Sequence, residues 1–175
     1  MLNDLNLGWL AGILDGEGSI YISVKPRQNF GPGISFTNSS LLLMEKVQDV
    51  LSAIGVQVVI GIDKAQTRRK SYKIYITTVE GMRTTLVALF PQLTSKKRQA
   101  TLMLEFLSQR KGSARKRSDG RDFEIAGLIS AINRGHFESV ETVSNSRESA
   151  KIQSELHSDM ESPAEMTGPT LVKTA

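Results

Sequence analysis

The chain has 175 residues, with 22 lysines and arginines against 18 aspartates and glutamates, and no cysteine. That length suits one domain with a real core, while the missing cysteines exclude disulfides and thiolate metal centres, and no run reaches the roughly 18 apolar residues of a membrane span. Residues 1–137 carry 19 basic and 11 acidic side chains and residues 138–175 carry three and seven, so a basic body precedes an acidic tail, and a basic body points to nucleic acid or another polyanion.

A first helix is expected over residues 6–15, where Leu7, Leu10, Ala11 and Leu14 recur at helical spacing. Gly8 and Gly12 lie one turn apart in it, and each costs about 1 kcal/mol relative to alanine within a helix. With Ala11 and Asp15 they make a small-residue face that another backbone can approach closely. Gly16 and Gly18 suit the helix end and the turn beyond it, and they flank the second member of an acidic pair, Asp15 and Glu17. A strand over residues 19–27 alternates Ile20, Ile22 and Val24 with Tyr21, Ser23, Lys25 and Arg27, which gives one core face and one polar, aromatic and basic face.

Residues 28–33 read as a loop, and residues 34–38 as the hairpin partner of the first strand. Ser39 or Ser40 can cap a helix over residues 41–53, which Gly55 stops. A β-branched strand over residues 56–62 and a turn with Arg68-Arg69-Lys70 lead to a fourth strand, residues 71–78. There Tyr72, Ile74 and Ile76 share one face and Lys73, Tyr75 and Thr77 the other. A helix over residues 81–90 stops before Pro91, and Ser95 caps another over residues 96–109. The first turn of that helix holds Lys96-Lys97-Arg98, where the helix dipole disfavours cations by a few tenths of a kcal/mol each. A phosphate or a carboxylate would supply the partner that such a cluster needs. A basic linker with Arg115-Lys116-Arg117 precedes a last helix over residues 122–133, and Phe137 closes the fold. Residues 138–175, rich in serine, glutamate and proline, read as a disordered acidic tail. The order is α-ββ-α-ββ-α-α-α, an α+β domain over residues 1–137 whose two hairpins form one antiparallel sheet of four strands.

Leu10-Ala11-Gly12-Ile13-Leu14-Asp15-Gly16-Glu17-Gly18 resembles the nine-residue motif that names the LAGLIDADG homing endonucleases. Ile13 and Leu14 swap two aliphatics, and Glu17 stands in place of the second aspartate. The element order after the motif is also similar, over residues 5–135. The resemblance implies motif helices of two domains packed through their small residues. It also implies a saddle-shaped sheet from each domain straddling DNA in the major groove. One motif implies a homodimer acting on a long near-palindromic site. The implied activity is a site-specific, intron-encoded endonuclease that uses Mg²⁺ or Mn²⁺ to make a double-strand break with short 3′ overhangs.

By the same resemblance Glu17 binds the metal, and Gly16 adds a carbonyl ligand. Lys96, or its neighbour Lys97, polarises the nucleophilic water or the phosphate, and Asn38 or Ser39 orders active-site water. Gly8, Ala11, Gly12 and Asp15 form the dimer interface, with Asp15 bracing the paired helices. The polar sheet face carries the DNA-reading candidates Tyr21, Ser23, Lys25, Arg27, Ser35, Thr37, Arg68, Lys73, Tyr75 and Thr77. Arg115, Lys116 and Arg117 suit phosphates. The alternative of the same fold is an RNA-binding intron maturase, which has no need to retain the acidic residue and the lysine. Met1-Leu2-Asn3-Asp4 lacks the regions of a signal peptide, so a soluble intracellular protein is expected, whether in a bacterial or phage cytoplasm or in an organelle.

Overall fold

The computed structural model describes residues 4–25, 29–63, 70–110 and 120–135, all within the unit Met1–Gly135. The expected tail, residues 138–175, lies outside the described residues, as does Phe137. In chain order the elements are α1 (Asp4–Glu17), β1 (Gly18–Lys25), β2 (Asn29–Asn38), α2 (Leu41–Ala53), β3 (Ile60–Asp63), β4 (Ser71–Ile76), α3 (Val79–Leu89), a 3₁₀ turn (Phe90–Gln92), α4 (Lys97–Ser108) and α5 (Gly120–Asn133). This is the order expected from the sequence. The strands form one sheet in the order β1-β2-β4-β3, antiparallel at every step. No helix among the described residues is long and apolar enough to cross a membrane.

Register sorts the sheet into two faces. Ile20, Ile34 and Ile76 lie across from one another, as do Phe36, Ile74 and Ile60. The opposite face carries the rows Ser19–Ser35–Tyr75 and Thr37–Lys73. The apolar rows join buried side chains from α1 to α5 in one core, with Leu14, Met44, Leu51, Leu86, Met103 and Ile129 among them. Each fully buried side chain of this size contributes roughly 1.5–3 kcal/mol.

The second strand is longer than its glycines and proline suggest. Residues 29–33 were expected as a loop, yet Gly31-Pro32-Gly33 pairs residue for residue with Ser23-Ile22-Tyr21. The glycines are needed because Tyr21 and Ser23 lie across them: a Cβ at Gly33 would run into the Tyr21 ring, and one at Gly31 into Ser23 Oγ. Pro32 lies beyond the part of β2 that β4 covers, which begins at Ile34, so β2 is paired on one side only there, the edge setting in which proline is tolerated. The third strand is correspondingly shorter than expected. Residues 56–59 stay out of the sheet, where Gln48 Nε2 donates to Val58 O at 2.7 Å. Thr78 caps α3, its Oγ1 accepting from Gly81 N at 3.1 Å, so that helix starts before residue 81. Pro91 is the second residue of the 3₁₀ turn, within the first turn where a missing N–H is harmless.

An ion pair that the sequence pattern did not disclose closes the core between α4 and α5. Arg110, only 1% exposed, stacks its guanidinium 3.5 Å from the centre of the Phe106 ring. Phe30 of β2 packs edge-on against both Phe106 and Phe123.

Candidate functional site

The motif helix ends where β1 begins, with no intervening loop. A Cβ at Gly18 would sit 2.5 Å from Leu14 Cδ1 and 2.7 Å from Leu14 O, so only glycine lets the strand start against the last helical turn. Glu17 is therefore the final helical residue, and its side chain is exposed at the junction with the sheet, as is Gly16. Among the described residues no three histidines, cysteines, aspartates or glutamates cluster as a metal cage. The donors at the junction are one carboxylate and a main-chain carbonyl, both hard oxygens.

Asp15 is turned into its own chain. One carboxylate oxygen accepts from Thr94 N at 2.8 Å and from Ser95 N at 3.3 Å, and the other accepts from Lys96 N at 2.9 Å. Burial pushes the Asp15 carboxyl up, but the N–H bonds from Thr94, Lys96 and Ser95, with the Ser95 hydroxyl, outweigh it and hold it below the ordinary carboxylate value. Ser95 was expected to cap α4. Instead Lys96 occupies the cap position with no side-chain cap bond, and Asp15 caps the turn from another helix. Helix-starting N–H groups need acceptors, and here a distant carboxylate supplies them.

The two lysines take different partners. Lys96 Nζ donates to the main-chain carbonyl of Asp15, at the negative end of α1. Lys97 Nζ instead lies 5.2 Å over the Phe90 ring. The Asp15 carbonyl is thus the partner of the Lys96 ammonium, while the Asp15 carboxylate takes the backbone N–H groups of the same turn. Asn38 ends β2 two residues past the Gly18–Phe36 pair, and its Oδ1 accepts from Ser40 N at 2.9 Å. Ser39 beside it is exposed, and Ser40 is the residue that caps α2.

Along α1, a Cβ added at Gly8, Gly12 or Gly16 would meet nothing within 4 Å. Among the described residues nothing packs against the three glycines of that stripe. Ala11 was grouped with this face, and the structure corrects that: it is fully buried in the core of its own chain and has no surface to offer a second copy.

On the polar side of the sheet, Tyr21, Ser23, Lys25, Thr37, Lys73 and Tyr75 share one face by register. Lys73 Nζ lies 5.2 Å over the Tyr75 ring, and Tyr75 is about half exposed. Burial pushes the Tyr21 hydroxyl up, with Tyr75 adding to this and Lys73 opposing it. Ser23 Oγ donates across the hairpin to Gly31 O at 3.0 Å. Ser35 is a correction. It belongs to this face but is only 7% exposed, a short side chain in an inner strand between Ser19 and Tyr75, too sunken to reach a base edge. Thr77 lies just past β4 and is exposed. Arg27, Arg68, Arg115, Lys116 and Arg117 lie outside the described residues.

Residues 4–86 match the profile of a family described as LAGLIDADG-like domain. No curated protein sequence matches the chain. The mixed helix-and-sheet fold is that of LAGLIDADG homing endonuclease structures. The homing endonuclease I-CvuI, in complex with its target in the presence of calcium, matches with a TM-score of 0.57 at 19% identity, over 73% of this chain and 82% of that one. The LAGLIDADG meganuclease I-AabMI bound to uncleaved DNA matches with a TM-score of 0.54 at 18% identity, over 74% of this chain and 44% of that one. The archaeal intron-encoded homing endonuclease I-Vdi141I complexed with DNA matches with a TM-score of 0.50 at 16% identity, over 74% and 98%. The chain thus spans nearly all of I-Vdi141I and under half of I-AabMI.

Proposed function

We propose that this protein is a sequence-specific, divalent-metal-dependent DNA endonuclease of the LAGLIDADG homing type, active as a homodimer on a long near-palindromic site, where it leaves short 3′ overhangs. The observation that carries this reading is the convergence at the end of α1. There an exposed Glu17 closes the helix, and the Lys96 ammonium is tied two residues earlier, at the edge of a polar and aromatic sheet face.

The donor set fits a hard cation such as Mg²⁺, which is held by one or two carboxylates together with waters and substrate phosphate. Glu17 and the Gly16 carbonyl would hold it, and bound there it would supply an activated water and stabilise charge on the scissile phosphate. Lys96 places a fixed positive charge where phosphate oxygens gain charge in the transition state. Asn38 has its Oδ1 occupied by Ser40 N, which leaves its amide N–H groups to hold a water. Tyr21, Lys25, Thr37, Lys73, Tyr75 and Thr77 offer donors, acceptors and apolar ring edges for base readout, each good pair worth roughly 1–3 kcal/mol of discrimination. Arg27 and Arg68 add guanine-contacting candidates to this set, and Arg115-Lys116-Arg117 extend it with phosphate contacts, which add affinity and salt dependence rather than sequence information.

Dimerisation follows from need and from surface. Cutting both strands needs two sites, and the chain holds one motif. The Gly8, Gly12 and Gly16 stripe is open in the single chain, although glycine within a helix is unfavourable by about 1 kcal/mol against alanine. Close approach of an identical helix accounts for it.

The test is incubation of the protein and Mg²⁺ with a library of near-palindromic duplexes, followed by sequencing of the ends. One dominant cut site with recessed 5′ ends is expected. A folded dimer that cuts no member of a saturating library would overturn the reading.

A further inference from the structure

Lysine carries a flexible four-carbon stem with about 2 kcal/mol of rotamer entropy, and two lysines stand side by side at the start of α4. The helix dipole disfavours both ammonium groups there by a few tenths of a kcal/mol each. One of them is nevertheless held at both of its ends by a single residue. Asp15 accepts the Lys96 backbone N–H through its carboxylate, at 2.9 Å, and the Lys96 ammonium through its main-chain carbonyl. The same carboxylate fixes the preceding turn through Thr94 N and Ser95 N, while Ser95 Oγ returns to the Asp15 carbonyl at 3.4 Å. Lys97, one residue on, is turned onto Phe90.

We infer that Asp15 is a positioning residue that selects Lys96 over Lys97 and sets where its ammonium stands at the end of α1. Both carboxylate oxygens already accept N–H groups of the same chain, so Asp15 acts by orienting Lys96 rather than as a second copy of Glu17. The catalytic meaning of this brace rests on the endonuclease reading above, whereas the brace itself is a property of the fold.

Asp15→Asn replaces two equivalent acceptors by one, so the Thr94 and Lys96 bonds cannot both survive intact. The expected result is a folded protein with wild-type affinity for the cut site and a kcat lower by roughly 10²-fold, the scale of a misplaced catalytic group. Hydrogen exchange should speed up at the amides of Thr94 and Lys96. Asp15→Glu keeps the carboxylate and should recover rate relative to D15N. D15N that cuts at the wild-type rate, or that loses only KM, overturns the inference; so does unchanged protection of both amides. Should D15N not fold, D15E decides: a rate near wild type upholds the inference, and a rate as low as that of Lys96→Met with both amides protected overturns it. A wild-type chain that cuts nothing would sink the endonuclease reading and with it the catalytic meaning of Lys96, while exchange protection lost in D15N would still uphold the brace.

Discussion

Arg110 and Asp122 form a two-pronged ion pair inside the protein, with Nη1 donating to Oδ1 at 3.0 Å and Nη2 to Oδ2 at 2.7 Å. A further N–H of Arg110 donates to Phe106 O at 2.6 Å. The pair fastens the residue two past the end of α4 to the first turn of α5 across residues 111–119, which lie outside the described residues. Removing one partner leaves the other charge buried alone, at a cost of about 3–5 kcal/mol. Asp122→Ala is therefore expected to lower unfolding free energy by about that amount. Replacing both partners, as Arg110→Met with Asp122→Leu, should recover much of the loss. Urea unfolding of the wild type, Asp122→Ala and the double variant checks both statements.

The brace at Asp15 predicts a pH dependence of stability. Its carboxyl is held below the ordinary value of 3.8 in the folded protein, so the unfolded chain takes up the proton first as pH falls. The stabilisation is fully present above the unfolded value and is lost as pH drops through the lower folded value. The stability gap between wild type and Asp15→Asn should be constant from pH 7 to 5 and should close below pH 3.8. Urea unfolding of both proteins along that series measures it, and a gap that widens in acid would contradict the assignment.

At the junction of α1 and β1, Glu17→Gln should abolish cleavage and leave DNA binding intact, read as retained gel-shift affinity with no product. Lys96→Met should also lose cleavage, whereas Lys97→Met, which removes the contact on Phe90, should cut at nearly the wild-type rate. Equal losses in the two lysine variants would contradict the separate roles assigned to them.

Open space around Gly12 means that a side chain there does not disturb the single chain. Gly12→Leu is expected to give a folded monomer by sedimentation, with helix content unchanged and double-strand cleavage lost. A Gly12→Leu protein that remains a tight dimer would show that the helices do not meet at this stripe.

Local pattern in the amino-acid sequence was enough for the element order, because helical and alternating periodicity is written residue by residue. Tyr21, Lys25, Lys73 and Tyr75 could be placed on one sheet face from alternation alone. The motif singled out Glu17 as the acidic residue for the proposed site. What the pattern could not carry were relations between distant segments. Gly31-Pro32-Gly33 looked like a loop until Tyr21 and Ser23 were seen to lie across it. Ala11 and Ser35 had the right type and spacing for exposed roles, and only packing buried them. The two lysines were equivalent by composition, and a carboxylate 81 positions from Lys96 distinguished them. Nothing in local pattern set Arg110 and Asp122 apart from other charged residues, and only the packed fold buries them together. Periodicity specifies which way a side chain points from its own element; which element stands opposite is decided by the packing of the whole chain.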